Sequence, residues 1–362
     1  MDRGKHDVCR DTMSSKRPTI LFFNINGTGL GHLSTCLAYA HRLREHARPV
    51  FFSLAAAVEK IHDMGFEADY FVSPAWSRAA NRHWNRQLAL RVGLMLERVR
   101  PDMLVFDGTW PFHGLLHAAT AHGVRRLVWS NLVLYKDGMR PVPVSENRFD
   151  LVIRLGEIGT RFMVEREERP GRRVVVPPVT LLRDDDLLTR DAARAALGLE
   201  RGGRYALFSL GPGNLKDIAG IGRGLIDEMK ARGFTIVWTR TPITVKDVPL
   251  PEDVVPIAVY PLARYMRAFD VYVGAAGYNS CCEVLQSGVP ALFVPNTLVV
   301  DDQTRRAERV AEAVPAVVSP CETASQRADA VSRLMELAGR QASSRPPLDG
   351  AERAAEEILA LL

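Results

Sequence analysis

Twice in this chain a short apolar strand runs straight into a glycine turn and then into a helix. In the first case Thr19 to Asn26 feeds Gly27-Thr28-Gly29-Leu30-Gly31-His32, after which Leu33 to Leu43 has helical spacing. In the second, Tyr205 to Leu210 feeds Gly211-Pro212-Gly213-Asn214 and a helix that ends near Gly233. A helix that follows a strand so closely returns the chain to the edge where it began, so the next strand pairs in parallel. Two such beginnings predict an α/β chain with two parallel-sheet halves, each gathering its loops at the carboxyl edge of its strands, where open sheets bind ligands.

The most informative stretch lies in the second half, from Gly274 to Gln303. A buried strand, Phe269 to Val273, ends in Gly274 and Gly277, where small residues let backbone approach a bulky ligand, and a helix is expected from about Asn279 and Ser280. Amides at such a helix start form a pocket for anionic phosphate. The next strand, Val289 to Val294, ends at Pro295, and a short loop brings Asp302 and Gln303 to the same edge. A carboxylate and an amide together accept and donate hydrogen bonds to sugar hydroxyls, so the stretch suits a sugar-nucleotide.

In the first half the order G-x-G-x-G-H departs from the dinucleotide fingerprint G-x-G-x-x-G. The second strand, Pro49 to Leu54, also lacks the terminal acid that would hold an adenosine ribose, and there is no lysine-bearing P-loop, so a nicotinamide enzyme is disfavoured. A further strand, Pro101 to Asp107, carries a carboxylate to the same edge as His32. Read by residue type alone, His32 is either a base or a helix-start residue bonded to backbone, and Asp107 either its orienting partner or a helix cap.

The segment Ala275-Ala276-Gly277-Tyr278-Asn279-Ser280-Cys281-Cys282-Glu283 resembles the donor-binding pattern H-C-G-W-N-S-x-x-E of inverting glycosyltransferases of the GT-B fold, the UDP-glycosyltransferases and MurG-like enzymes. The resemblance runs from about Thr19 over nearly the whole chain and implies two facing Rossmann-like domains with parallel sheets and a cleft between them. It implies that Asn279 and Ser280 hold the diphosphate, Glu283 the ribose, and Asp302 with Gln303 the donor sugar. The turn at Gly29 and Gly31 is similar to the family's first loop, which makes His32 the catalytic base, kept neutral at a helix start, and Asp107 its partner. Ser209, Gly213 and Asn214 correspond to the family's L-G-S-x-G loop, with Pro212 in place of its serine. Ala275 stands where the family has a phosphate-binding histidine, and the loop before Asp302 is longer than in the plant enzymes; both point to the bacterial MurG-like branch. The resemblance further implies an α-linked UDP-hexose as co-substrate, a β-linked product, and no metal or other cofactor. A UDP-GlcNAc 2-epimerase-like enzyme and a non-catalytic sugar-nucleotide binding protein are the alternatives.

The rest of the chain fits two domains. With 362 residues, 47% hydrophobic and 25% charged, it is long enough for two cores. No apolar run reaches the roughly 18 residues of a membrane span, and Met1 to Ser15 is polar, so a cytoplasmic protein is expected. Five cysteines, Cys9, Cys36, Cys281, Cys282 and Cys321, form no C-x-x-C pair and indicate neither disulfides nor zinc. A net charge of +5 permits weak attraction to anionic surfaces without implying a nucleic-acid partner. The segment 78–100 reads as a basic amphipathic helix, with Trp84, Leu88, Val92, Met95, Leu96 and Val99 against Arg82, Arg86, Arg91 and Arg98. It either packs on the core with a solvated face or makes weak peripheral contact with a membrane or acceptor. Boundaries are expected at 1–16 for a disordered tail, 17–167 for an acceptor domain, 168–182 for a linker behind the charged run Glu165 to Arg173, 183–348 for a donor domain, and 349–362 for a helix crossing back to the first domain. The acids Asp184-Asp185-Asp186 are expected to start a helix rather than bind metal. The stretch Tyr260 to Ala268 either stacks a base or fills the core.

Overall fold

The computed structural model describes residues 17–27, 29–132, 134, 146–165, 172–211, 218–240, 250–296, 301–340 and 346–362. The expected tail 1–16 lies outside them, as do Gly213 and Asn214. The first sheet contains β1 (Thr19–Asn24), β2 (Arg48–Ser53), β3 (Glu67–Tyr70), β4 (Met103–Asp107), β5 (Arg126–Leu132), β6 (Leu151–Leu155), β7 (Met163–Glu165) and β8 (Arg172–Val176). Their spatial order is β3-β2-β1-β4-β5-β6-β8-β7, parallel except for the β7–β8 pair. The second sheet contains β9 (Tyr205–Ser209), β10 (Thr235–Thr239), β11 (Val255–Ile257), β12 (Val271–Gly274), β13 (Ala291–Phe293) and β14 (Ala316–Val318), ordered β11-β10-β9-β12-β13-β14 and wholly parallel.

Both sheets thus share a doubly wound plan with a switch point where the strand order reverses, between β1 and β4 in one and between β9 and β12 in the other. Crevices for ligands open at such points. The four consecutive apolar residues of β1 follow from this plan. Ile20 and Phe22 face a core covered by the helices Gly31–Leu43 and Gly350–Leu359, while Leu21 and Phe23 face one covered by Asn81–Val99 and His113–Ala121. A strand buried on both faces shows no polar alternation. The helix Asn81–Val99 buries all six apolar residues expected of it on the core and exposes Arg82, Arg86, Arg91 and Arg98 on its outer face.

The linker expected at 168–182 is corrected on its first side. Arg172–Val176 is β8, registered against β6 over its whole length, and the charged run lies between β7 and β8, an antiparallel pair within the first sheet. A charged Pro-Gly stretch suits a strand connection as well as a hinge, because both are solvated. The crossing between lobes therefore begins at Pro177. A second crossing lies beside it: Val179 pairs with Asp349, and the Gly350 amide donates to the Pro178 carbonyl at 3.2 Å. The helix Gly350–Leu359 then buries Ala351, Ala354, Ala355 and Ile358 in the first core and anchors Glu352 on Arg42 and Glu357 on Arg172. Asp184–Asp186 forms a 3-10 turn in which Asp186 accepts from the Arg183 amide at 2.9 Å.

Candidate active site

β1 and β4 pair with Asn24 opposite Asp107, which places the Asp107 carboxylate beside the turn that leaves β1. The helix begins at Gly31, so His32 is its second residue and reaches back over that turn. His32 Nδ1 lies 2.6 Å from Asp107 Oδ1. Asp107 is buried, and its Oδ2 has no partner among the described residues, so the histidine is the carboxylate's principal side-chain contact. A carboxylate on Nδ1 holds the proton there and leaves Nε2 as the lone-pair nitrogen. The His32 side chain keeps 22% of its surface exposed, enough to meet a substrate. Gly27 makes room beside it, since a Cβ there would lie 3.1 Å from His32 Cδ2, whereas one at Gly29 would meet nothing within 4 Å.

The other wall of the cleft comes from the second switch point. The helix Tyr278–Ser287 starts one residue earlier than expected, with Gly277 as its cap residue, and its first turn has neither a side-chain cap nor an acid. Its leading amides therefore remain available for an anion. Gly274 leaves no room for a side chain, since a Cβ there would lie 2.6 Å from the Ser209 carbonyl. Gly211, just past β9, adopts φ +93°, a conformation that glycine takes without strain. Ser209 is half-buried at the end of β9, where its carbonyl accepts from the Ala275 amide at 3.0 Å, and Ser280 is half-buried in the first turn of the helix.

The lobes touch across the cleft. Asn279 Nδ2 donates to the Gly31 carbonyl at 3.3 Å, and Ser34 Oγ lies 2.9 Å from the Tyr260 hydroxyl. Tyr278, at the tryptophan position of the resemblance, donates to the Gly156 carbonyl at 3.1 Å and accepts from the Val179 amide at 2.9 Å. Between the lobes a cavity of about 20 Å³ is lined by Ser34, Thr180, Ala263, Asn279, Glu283 and Gln286. Burial pushes the Glu283 carboxyl up to about 8, against the pull of the Ala263 amide that donates to it. The stretch Leu262–Ala268 buries Ala263, Met266 and Ala268, so its apolar residues mainly fill the core, while its backbone meets Glu283.

Asp302 and Gln303 lie at the head of the helix Gln303–Ala311. Asp302 is its cap, accepting from the Arg305 amide at 3.1 Å, and Gln303 Oε1 accepts from the Asn296 amide at 3.0 Å. Each side chain thus has a structural bond beside any ligand contact. Glu157 and Arg306 were missed in the sequence, because each acts through a partner distant in the chain; Tyr278 and Tyr260 were singled out there, but not for their bonds between the lobes.

The glycosyltransferase family 28 C-terminal domain matches residues 241–346. The UDP-N-acetylglucosamine--N-acetylmuramyl-(pentapeptide) pyrophosphoryl-undecaprenol N-acetylglucosamine transferase of Salinibacter ruber is 28% identical over 393 residues, 96% of this chain and 98% of that enzyme. Its namesake in Bacillus licheniformis is 24% identical over 215 residues; that match spans 56% of this chain and only 56% of the Bacillus enzyme. Among solved structures, the spinosyn forosaminyltransferase SpnP superposes with a TM-score of 0.66 at 15% identity, over 95% of this chain and all of that one. MurG of Acinetobacter baumannii gives 0.56 at 15%, over 95% and 99%. The UDP-GlcNAc 2-epimerase of Neisseria meningitidis gives 0.62 at 11%, over 94% and 100%. These superpositions establish the GT-B fold. The matched domain and the two sequence relatives make the chain a glycosyltransferase. Within the class its matched domain is that of glycosyltransferase family 28, and the relatives it resembles over the chain are MurG-type transferases.

Proposed function

We propose that this enzyme moves a hexose, of glucose or N-acetylglucosamine type, from a UDP-sugar to a hydroxyl of a lipid-linked precursor or small natural product, with inversion at the anomeric carbon. The observation that carries the reading is the pair at 2.6 Å, His32 Nδ1 on Asp107, at one switch point facing an uncapped helix start at the other. His32 Nε2 takes the acceptor proton as the oxygen attacks opposite the diphosphate, and Asp107 holds the resulting imidazolium. The leading amides at Tyr278–Ser280 receive the charge that develops on the leaving diphosphate, which removes the need for a divalent cation. An α-linked donor gives a β-linked product, read directly by proton NMR of the transfer product; retention of the α configuration would refute the single displacement.

The epimerase-like alternative has the fold in its favour and is separated by incubating UDP-GlcNAc without acceptor. The present reading expects no epimer.

Glu283 offers a second handle. Its raised value means that folding favours the protonated acid, so its contribution to stability is greatest below its ordinary value of 4.5 and declines as pH rises towards about 8. Ribose hydroxyls donating to Glu283 favour the carboxylate. UDP binding at pH 7 should therefore release a fraction of a proton, seen as a dependence of the calorimetric enthalpy on the buffer's ionisation heat. Glu283→Gln should bind UDP about tenfold more weakly and lose that dependence. Asp302→Ser, which keeps a helix cap, should weaken a UDP-sugar about tenfold while leaving UDP nearly untouched.

The reading includes peripheral contact with the cytoplasmic face of a membrane. Leu90 and Leu94 are 58% and 61% exposed on the helix that also exposes Arg86 and Arg91, and among the described residues no helix is long and apolar enough to cross a bilayer. Sedimentation with anionic vesicles should carry the protein down at low salt and lose it when Leu90 and Leu94 are both changed to Ser. Equal sedimentation of the double variant would remove this part.

A further inference from the structure

Arg306 lies three residues beyond Gln303 and is 1% exposed, yet its guanidinium makes bonds in every direction. Nε and Nη2 donate to the Glu157 carboxylate at 2.8 to 3.0 Å, and Nη1 and Nη2 donate to Asp301 at 2.9 and 2.7 Å. Nη1 also reaches the Ala276 carbonyl at 3.3 Å, and the guanidinium carbon sits 5.7 Å from the Tyr278 ring centroid. These partners belong to three parts of the molecule. Glu157 follows β6 in the first lobe, Asp301 immediately precedes the Asp302-Gln303 pair, and Ala276 and Tyr278 flank Gly277 at the start of the anion-binding helix. Tyr278 itself bonds the Gly156 carbonyl, so the first lobe is held twice at adjacent residues.

We infer that Arg306 is a positioning residue that fixes the Asp301–Gln303 turn against the phosphate-facing helix and makes that geometry depend on the seating of the first lobe through Glu157. The inference rests on the reading that Asp302 and Gln303 hold the donor sugar. Only a planar fork can serve two carboxylates and a carbonyl at once, and a lysine ammonium in this place would leave at least one carboxylate without its partner. Because the contact to the first lobe and the contact to the sugar-side turn share one group, opening of the lobes loosens the turn, and a correctly held sugar favours the closed arrangement.

The test compares wild type with Arg306→Lys, Asp301→Asn and Glu157→Gln by amide hydrogen exchange without ligand, and by titration with UDP and with UDP-N-acetylglucosamine. In Arg306→Lys, protection of the Asn296 amide and of residues 302–306 should fall about tenfold or more, with the far end of the same helix unchanged. UDP should bind within about threefold of wild type, while the extra affinity contributed by the sugar should fall about tenfold. Asp301→Asn, which keeps the buried Arg306 to Glu157 pair, should act in the same direction and covers the case in which the lysine variant fails to fold. Glu157→Gln, which weakens the link to the first lobe, should lower the sugar increment in the same direction and also lower kcat about tenfold at saturating donor, while UDP affinity stays within about threefold. Unchanged protection in the Arg306 and Asp301 variants, or a parallel loss of UDP and UDP-N-acetylglucosamine affinity, would overturn the positioning role. If wild type gains nothing from the sugar and Asp302→Ser changes nothing, the sugar assignment of Asp302 fails instead, and hydrogen exchange still decides what Arg306 holds.

Discussion

His32→Ala should lower kcat for glycosyl transfer by about 10³-fold while UDP affinity stays within about twofold, because in the proposed mechanism the imidazole acts on the acceptor hydroxyl and not on the nucleotide. The expectation follows from the 2.6 Å contact with Asp107, whose other oxygen lacks a partner among the described residues. A histidine so held has one nitrogen committed and one free to accept a proton. Asp107→Asn preserves the shape but reverses the preferred tautomer and no longer compensates an imidazolium, so it should also cost roughly 10² to 10⁴ in kcat. Measurement is by UDP release in the presence of acceptor, with UDP affinity from calorimetry on the same preparations. If His32→Ala turned over at the wild-type rate, proton removal would have to come from elsewhere, and the pair would be a local structural contact at a helix start.

Gly350→Ala should destabilise the protein by roughly 3 kcal/mol. Alanine is the better helix former by about 1 kcal/mol, so on local grounds alone the substitution would be mildly stabilising. Contact reverses the sign. A Cβ at Gly350 would lie 2.0 Å from the Pro177 carbonyl oxygen and 2.8 Å from that of Pro178, both backbone atoms of the other interlobe crossing. They cannot move independently, because Gly350 is bonded to Pro178 and Val179 pairs with Asp349. Relief must come from lifting the terminal helix, which carries Ala351, Ala354, Ala355 and Ile358 out of the first core. Urea unfolding should show a lower midpoint, with exchange protection lost first along 350–359. A variant as stable as wild type would mean that the two crossings yield easily and do not brace the lobes.

Much of this arrangement was legible in the chain because it depends on local order. Apolar strands ending in Gly27 to Gly31 and Gly274 to Gly277 placed the two switch points, and the carboxylate ending β4 could be matched to His32 once the sheet was known to be parallel. The core face of Asn81–Val99 was readable residue by residue from its period. Three things were not legible, each for a physical reason. Charge in the run ending at Arg173 does not by itself distinguish a strand connection from a hinge, since both are ordinarily polar. Asp302 looked like a pure ligand residue, although a carboxylate before a helix is also its cap, and here it is bonded as one. Arg306 and Glu157 are 149 residues apart, and nothing in either segment announces the other. A buried ion pair between lobes becomes visible only when the sheets are assembled.

The central claim is that the cleft between the two switch points binds a uridine diphosphate sugar through backbone amides and Glu283, with no need of a metal ion. Calorimetric titration of the protein with UDP in EDTA, with dTDP and NAD as comparisons, tests it most directly. Saturable binding of UDP is expected in the absence of metal, weakened in Glu283→Gln and preserved in His32→Ala. Binding of NAD with no affinity for UDP would contradict it, and would remove the roles given to His32, Glu283 and Gln303 together.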